Sequence, residues 1–314
     1  MRPRVVVVLV NWNGVTDTLE CLASLYSDGY PSLSVVVVDN GSVDDSVLSI
    51  RDAYPDAIVL EAGRNLGFTG GNNVGIRYAL DHGADYVYLL NNDTTIEARS
   101  LEKLAAAAEG CAKAGIVAPV MHYADRPDEV WFGGSSLDIC CGLALHDHSN
   151  VPATLDPPVE IPWVTGCAMF IRATVLRELG GFDERYYLYF EDVDLSVRMR
   201  KLGYSIVLAP SARIFHKCGQ TGNKTKFVTD YYGTRNQLLF VATHSPSTFR
   251  RFVLTALWER QRLMRFWLKE DAARVLPLMK YNFLGFYDFF RKRFGVYPYG
   301  RRTSEVNSVA ARRR

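Results

Sequence analysis

The sequence contains no apolar run long enough to cross a membrane. A spanning helix needs about 18 or more nearly uncharged apolar residues, whereas the valine-rich run at 5–10 meets Asn11 at once. The same segment lacks the longer apolar core and small-residue cleavage site of a secretory signal, so the expected location is the cytoplasm. No C-x-x-C occurs among the cysteines at 21, 111, 140, 141, 167 and 218, and their spacing does not resemble a disulfide framework. Reduced thiols are expected, as is usual in that compartment. Low-complexity tracts and repeats of 20–50 residues are also missing, which argues against long disordered segments and a solenoid.

What is present is a chain of 314 residues, 48% hydrophobic and 22% charged, enough for one large packed domain with or without an appendage. The net charge of +2 hides an asymmetry. Residues 246–314 hold 16 Lys and Arg against 5 Asp and Glu, leaving 20 against 29 in residues 1–245. An acidic body with a basic tail points to an anionic partner for the tail.

Continuous β-branched or apolar runs at 5–10, 35–38 and 86–90 predict buried strands, and 57–60 a further short strand. Between them, helical spacing is expected at 16–27, 44–53 and 72–82, and again at 95–110 in an alanine-rich stretch. This alternation predicts a mostly parallel sheet in an α/β domain. A strand is expected at 115–120, loops or an irregular hairpin from 122 to 162, and a strand at 163–172. Short helices at 174–179 and 192–202 follow, then a last strand at 204–208 before Pro210. From about 228 the sequence turns helical, aromatic and basic, with a soft boundary near 225–235.

Polar groups gather just after the predicted strands, where open α/β sheets bind ligands. Asp39-Asn40-Gly41-Ser42 follows the second strand; Asp39 can accept hydrogen bonds from a nucleobase or ribose, although a plain helix cap would look the same. Arg64-Asn65-Leu66-Gly67-Phe68-Thr69-Gly70-Gly71-Asn72 precedes a helix and can bring backbone amides close to a ligand. It is neither G-x-G-x-x-G nor a P-loop. Asn91-Asn92-Asp93 ends the fourth strand, where one carboxylate and donor phosphates can hold a hard cation. In Glu191-Asp192-Val193-Asp194, adjacent carboxylates beside aromatics can raise one another's pKa and prepare a general base, while helix-start acids are the structural alternative. His216, after a strand-like segment, is eligible as a further metal ligand.

Taken in order, these motifs resemble the family 2 glycosyltransferases, particularly a rhamnosyltransferase-like bacterial branch, over roughly residues 4–220. The resemblance implies a GT-A-like catalytic domain at 1–228, its nucleotide-sugar half at about 1–120 and its acceptor half at about 121–228, followed by a helical extension at 229–314. It implies nucleotide contacts from Asn11, Asp39, Ser42, Asn65, Gly67, Asn72 and Asn92. Asp93 and His216 would hold Mg²⁺ or Mn²⁺, and Asn91 stands where the family's D-x-D motif has its first carboxylate. Asp192 would be the catalytic base beside Glu191, with Trp163, Gly166 and Asp194 at the acceptor.

The implied reaction is inverting transfer from a nucleoside-diphosphate sugar, dTDP-rhamnose first and UDP-sugars second, to a saccharide or polyprenyl-linked saccharide in cell-envelope polysaccharide synthesis. Arginines interleaved with Trp258, Leu263, Phe266 and Trp267 fit an interfacial helix on anionic lipid at the inner face of the plasma membrane. A nucleic-acid partner is not expected, because a basic patch without a motif is weak evidence; a homodimer is compatible with the sequence. A nucleotidyltransferase would favour a Gly-rich, basic loop after the first strand, where this chain has Asn11-Trp12-Asn13-Gly14. A non-catalytic glycan binder is the other alternative, and the intact Glu191-Asp192 pair argues against it.

Overall fold

The computed structural model describes residues 2–149, 151, 158–218, 226–267 and 272–299, with the backbone alone described at 226–227, 258–267, 272–275 and 277. The β-branched runs form its centre. Strand β1 (Val5–Asn11) pairs in parallel with β2 (Leu33–Asp39) on one side and β4 (Tyr86–Asn91) on the other, and β2 carries β3 (Ile58–Glu61) outside it. Val5, Val7, Val8, Leu9, Val36 and Val37 are excluded from water, as both-face burial requires. Helices α1 (Val15–Ser27), α2 (Ser46–Ala53) and α3 (Gly67–Asp81) supply the crossovers. Thr18, Cys21, Leu22 and Leu25 give α1 one buried face at helical spacing. The chain runs outward from β1 to β3 and then returns to β4 on the opposite side of β1. That reversal is a topological switch point, the crevice in which open α/β sheets take ligands.

Past β4 the sheet becomes mixed. Strand β11 (Ala168–Arg172) lies antiparallel to both β4 and β6 (Ala114–Tyr123), and β12 (Ser205–His216) runs parallel to β6. Strand β10 (Val159–Ile161) closes that edge, β5 (Thr94–Ile96) pairs with the end of β12, and β7 (Val130–Phe132) pairs with β6. A separate hairpin joins β8 (Gly134–Asp138) to β9 (Leu143–Asp147). Helices α4 (Ser100–Gly110), α5 (Ala173–Leu179) and α6 (Glu191–Lys201) pack beside the sheet, and α7 (Lys226–His244), α8 (Pro246–Trp267) and α9 (Ala272–Phe290) follow.

Several expected boundaries move. Helix α3 begins at Gly67, not near 72, and the stretch expected as one helix from 95 divides into β5 and α4, with Arg99 left-handed between them (φ +61°). The strand expected at 163–172 starts at Ala168. The last strand continues through Pro210 to His216, because a register shift between Ala209 and Arg213 accommodates the proline without a ladder bond. The compositional change near 228 is not a break in packing: Leu239, Phe240 and Val241 of α7 share a buried cluster with Trp163, Tyr186, Val193 and Val197.

Candidate active site

The polar ends of β1, β2 and β4 form one hydrogen-bonded rim. Asn11, fully buried, donates to Asp39 Oδ1 (3.1 Å) and Ser42 Oγ (3.1 Å), and accepts from Thr18 Oγ (2.9 Å). Asp39 takes a second bond from the Ser42 amide (3.0 Å), and Asn92 donates to Thr18 Oγ (2.9 Å). The chain Asn92–Thr18–Asn11–Asp39 thus ties three strand ends together. Thr18 was not legible as part of the site, since a threonine on the apolar face of a helix gives no signal by itself.

The glycine-rich segment lies along this rim but does not present an open helix N-terminus. Phe68 N–H (2.9 Å) and Thr69 N–H (3.3 Å) both donate to the carbonyl of Tyr187, and Gly67 N–H donates to Asn65 Oδ1 (2.8 Å). The amides expected to face a ligand are therefore capped by the chain itself. Asn65 Oδ1 also accepts from the Tyr187 hydroxyl (3.1 Å), and Asn72 turns inward to the Phe68 carbonyl (2.9 Å). Gly67 sits at φ +75°, where a Cβ would meet the Tyr187 ring at 2.5 Å. At Gly75 a Cβ would fall 2.2 Å from Val8, so this glycine lets α3 rest directly on β1.

Asp93 and His216 come together through sheet pairing: β5 places Thr94 opposite His216, and His216 Nε2 stands 3.2 Å from Asp93 Oδ1. Burial lowers the imidazole pKa, but the Cys167 sulfur and the Asp93 carboxylate outweigh it, and His216 is held above its ordinary range. Lys217, next in sequence, is committed to Asp17 and Glu20, each at 2.6 Å. No group of three or more His, Cys, Asp or Glu that could hold a metal is found among the described residues. One carboxylate and one imidazole nonetheless suit a divalent cation whose remaining positions are filled by phosphate oxygens and water.

The carboxylate pair arrives at the same edge by a different route. Asn91 N–H donates to the Cys167 carbonyl (2.8 Å), which sets the start of β11 beside the end of β4. The neighbouring Gly166 N–H donates to Asp192 Oδ2 (2.8 Å), and Val193 N–H donates to Oδ1 (2.8 Å). A Cβ on Gly166 would strike the Phe68 ring at 2.9 Å, so α3, Gly166 and Asp192 converge on one spot. Burial raises the pKa of Asp192, and amide donors temper the rise. Glu191 is 4% exposed, its Oε2 has no hydrogen-bond partner, and burial with the adjacent Asp192 charge pushes its pKa well above the ordinary value. Burial and the neighbouring carboxylate thus favour the neutral form of Glu191, while two amide donors favour the charged form of Asp192.

The turn that precedes this pair is strained. Tyr187, Tyr189 and Phe190 have φ of +66°, +68° and +71°, a conformation costing roughly 1–3 kcal/mol per non-glycine residue. Such strain persists only where surrounding structure holds it.

Two expected acceptor residues are placed elsewhere. Asp194 is 1% exposed and fully engaged by Arg198 Nε (2.7 Å), His244 Nε2 (2.7 Å) and the Tyr186 hydroxyl (3.3 Å). It fastens α6 to α7 and has no oxygen free for an acceptor. Trp163 is 4% exposed, with its indole N–H on the Ser136 carbonyl (3.0 Å) and its ring packed against Phe132 and His146. Gly166 does lie beside the carboxylate pair. Trp12, 40% exposed next to the Asn11 rim, is a further candidate that no strand-end motif marks.

A polar rim at a switch point, the Asp93–His216 pair and a carboxylate raised by burial share one edge of a GT-A-like fold. Residues 3–268 match the model of the family described as "Glycosyltransferase like family 2", and the chain belongs to that family. Among its relatives is the N-acetylglucosaminyl-diphospho-decaprenol L-rhamnosyltransferase of Mycobacterium tuberculosis, 29% identical over 278 residues, covering 75% of this chain and 84% of that one. The dTDP-rhamnosyl transferase RfbF of Shigella flexneri is 24% identical over 262 residues, covering 78% and 83%. A crystal structure of GalNAc-T7 with UDP, GalNAc and Mn²⁺ superposes with a TM-score of 0.60 at 16% identity over 75% of this chain, which spans about half of that protein (51%).

Proposed function

We propose that this protein is an inverting glycosyltransferase that moves L-rhamnose from dTDP-rhamnose to a hydroxyl of a polyprenyl-linked saccharide. The observation that carries this reading is the convergence of Asp192, anchored through Gly166, with the Asp93–His216 pair on the edge that β4 and β11 share. Asp192 takes the proton of the acceptor hydroxyl. The oxygen then attacks the anomeric carbon from the face opposite the leaving group, and the anomeric C–O bond breaks with its electron pair passing to the diphosphate. A single displacement inverts the centre, and positioning with fixed charges supplies most of the rate. Asp93 and His216 would hold Mg²⁺ or Mn²⁺, which when bound neutralises charge on the departing diphosphate. The Asp39 rim would hold the nucleoside.

Rhamnose is favoured over other sugars by the names of the two bacterial relatives; a UDP-sugar is the second choice. The lipid-linked acceptor is supported by the mycobacterial relative and by one face of α9. There Leu276, Phe283, Tyr287 and Phe290 fall on a helical stripe, between 40% and 66% exposed, near exposed Lys280, Arg291, Lys292 and Arg293. Apolar and basic groups in this arrangement suit an anionic lipid surface. The side chains of Trp258, Leu263, Phe266 and Trp267, from which the sequence suggested the same contact, lie outside the described residues. No helix among the described residues is long and apolar enough to cross a membrane.

Asp192→Asn is the direct test. Transfer from dTDP-rhamnose should fall at least ~1,000-fold, toward the residual rate left by binding and electrostatics alone, while dTDP affinity stays within about threefold. Loss of both together would contradict the assignment of Asp192 as the base.

A further inference from the structure

The strained turn at 187–190 is gripped by two neighbouring residues of α7. The two N–H of Asn236 Nδ2 are shared among the carbonyls of Tyr186 (2.9 Å), Leu188 (2.8 Å) and Tyr189 (2.8 Å). Arg235, fully buried, fixes the amide by donating from Nε to Asn236 Oδ1 (3.0 Å). Its remaining donors reach the carbonyls of Arg185 (3.0 Å), Tyr186 (2.8 Å) and Gly295 (2.6 Å), and its plane lies over the rings of Tyr231 and Tyr232 at 5.4 and 4.9 Å. A planar fork of fixed donors suits a cluster of carbonyls in a way that a lysine ammonium does not.

The gripped turn touches both halves of the site. Its Tyr187 carbonyl caps α3 through the Phe68 and Thr69 amides, and its Tyr187 hydroxyl reaches Asn65. Its last residue, Phe190, is the left-handed start of α6, from which Glu191 and Asp192 project. The Tyr187 ring stacks on Tyr232, one helical turn before Asn236 (5.4 Å between centroids, 18° between planes).

We propose that Arg235 and Asn236 are positioning residues for the transfer reaction: they hold the 187–190 turn in its left-handed form, and the turn sets Asp192 and the cap of α3 together. The catalytic part of this inference rests on the glycosyltransferase reading above; the structural part does not. Freed of Asn236, the Leu188 and Tyr189 carbonyls lose the donor that offsets the unfavourable φ values, Tyr186 keeping only that of Arg235, and the turn relaxes toward right-handed or extended conformations. Displacing a catalytic group by even about 1 Å costs on the order of 100-fold in rate.

The test uses the full chain as wild type, Asn236→Ala, Arg235→Lys and the double variant Asn236→Ala/Tyr189→Gly. Amide hydrogen exchange should accelerate at least ~10-fold at Phe68, Thr69 and residues 187–193 in Asn236→Ala, with β1 and β2 unchanged. With dTDP-rhamnose and Mn²⁺, kcat should fall on the order of 100-fold, well beyond any rise in donor KM. Tyr189→Gly should recover at least ~10-fold of that loss, because glycine adopts positive φ without strain. Arg235→Lys provides the same local pattern should Asn236→Ala fold poorly. Unchanged exchange at Phe68 and Thr69, or acceleration spread over the whole chain with no rescue by Tyr189→Gly, would overturn the proposal. A wild-type protein that turns over no dTDP- or UDP-sugar would instead overturn the transferase reading, and the exchange pattern would still decide whether the pair holds the turn.

Discussion

The two sides of the candidate site are built on opposite principles. On the nucleotide side, Asn11, Thr18, Asp39, Ser42 and Asn92 satisfy one another through short hydrogen bonds. On the base side, a carboxyl oxygen of Glu191 is buried without a partner, and the turn before it runs through three left-handed residues. A satisfied polar network is rigid and stable, which suits a surface that must accept the same nucleoside repeatedly. Orphaned polar atoms and strain destabilise, and they cluster where chemistry needs a carboxylate of raised pKa. The side that carries Glu191 and Asp192 is also the one that α7 contacts, through His244 on Asp194 and through Arg235 and Asn236 on the turn.

Removing those contacts has the largest expected effect. Asp194→Asn breaks a buried ion pair to Arg198 and disturbs the hydrogen bonds to His244 and Tyr186, and should destabilise by about 3–5 kcal/mol in chemical denaturation. Burial raises the Asp194 pKa, but His244 and Arg198 outweigh it and hold it below the ordinary carboxylate value. The stabilisation is therefore full above the unfolded-state pKa and is lost as pH falls through the folded one, so wild type and variant should converge in acid. A variant as stable as wild type at pH 7 would remove the case for α7 as the prop of the site.

Asp39→Asn tests the satisfied side. It sets an amide donor against the Asn11 amide or the Ser42 N–H, and donor KM should rise about 10- to 50-fold while kcat stays within a few-fold. A fall in kcat with unchanged KM would erase the division of labour between the two sides. The smallest effect is expected for Glu191→Gln. Glu191 has a folded pKa above its unfolded one, so its contribution to stability is most favourable in acid and declines as pH rises. Glutamine avoids that decline, and thermal melts at pH 7.5 should show a Tm a few degrees higher, with the gain disappearing near pH 4. A lower Tm at pH 7.5 would mean that Glu191 is ionised in the folded protein.

Much of the fold was legible because periodicity reports burial. The valines at 5–8 and 35–38 could only be strands covered on both faces, and the polar residues ending them fell where the switch point lies. Helix α3 was read five residues short because Gly67, Gly70, Gly71 and Asn72 have poor helix propensity. What stabilises that first turn is a carbonyl from Tyr187, far along the chain, together with close packing of Gly71 and Gly75 on Val10 and Val8. Pro210 looked like the end of a strand because a bulge cannot be read from one sequence. Asp194 was grouped with Glu191 and Asp192 by proximity, yet on the helix it faces Arg198 four residues on and leaves the cleft. The Arg235–Asn236 grip was invisible for a similar reason: its partners are backbone carbonyls, which no side-chain pattern reveals.

Calorimetric titration of the purified chain with dTDP and with UDP, each with and without Mn²⁺ or Mg²⁺, tests the nucleotide-sugar site most directly. Saturable binding of one of these nucleotides is expected, strengthened at least tenfold by the cation, since Asp93 and His216 alone leave most of a coordination shell to the diphosphate. Absence of binding to either nucleotide under every condition would contradict a nucleotide-sugar site at this edge and bring a glycan-binding role to the front.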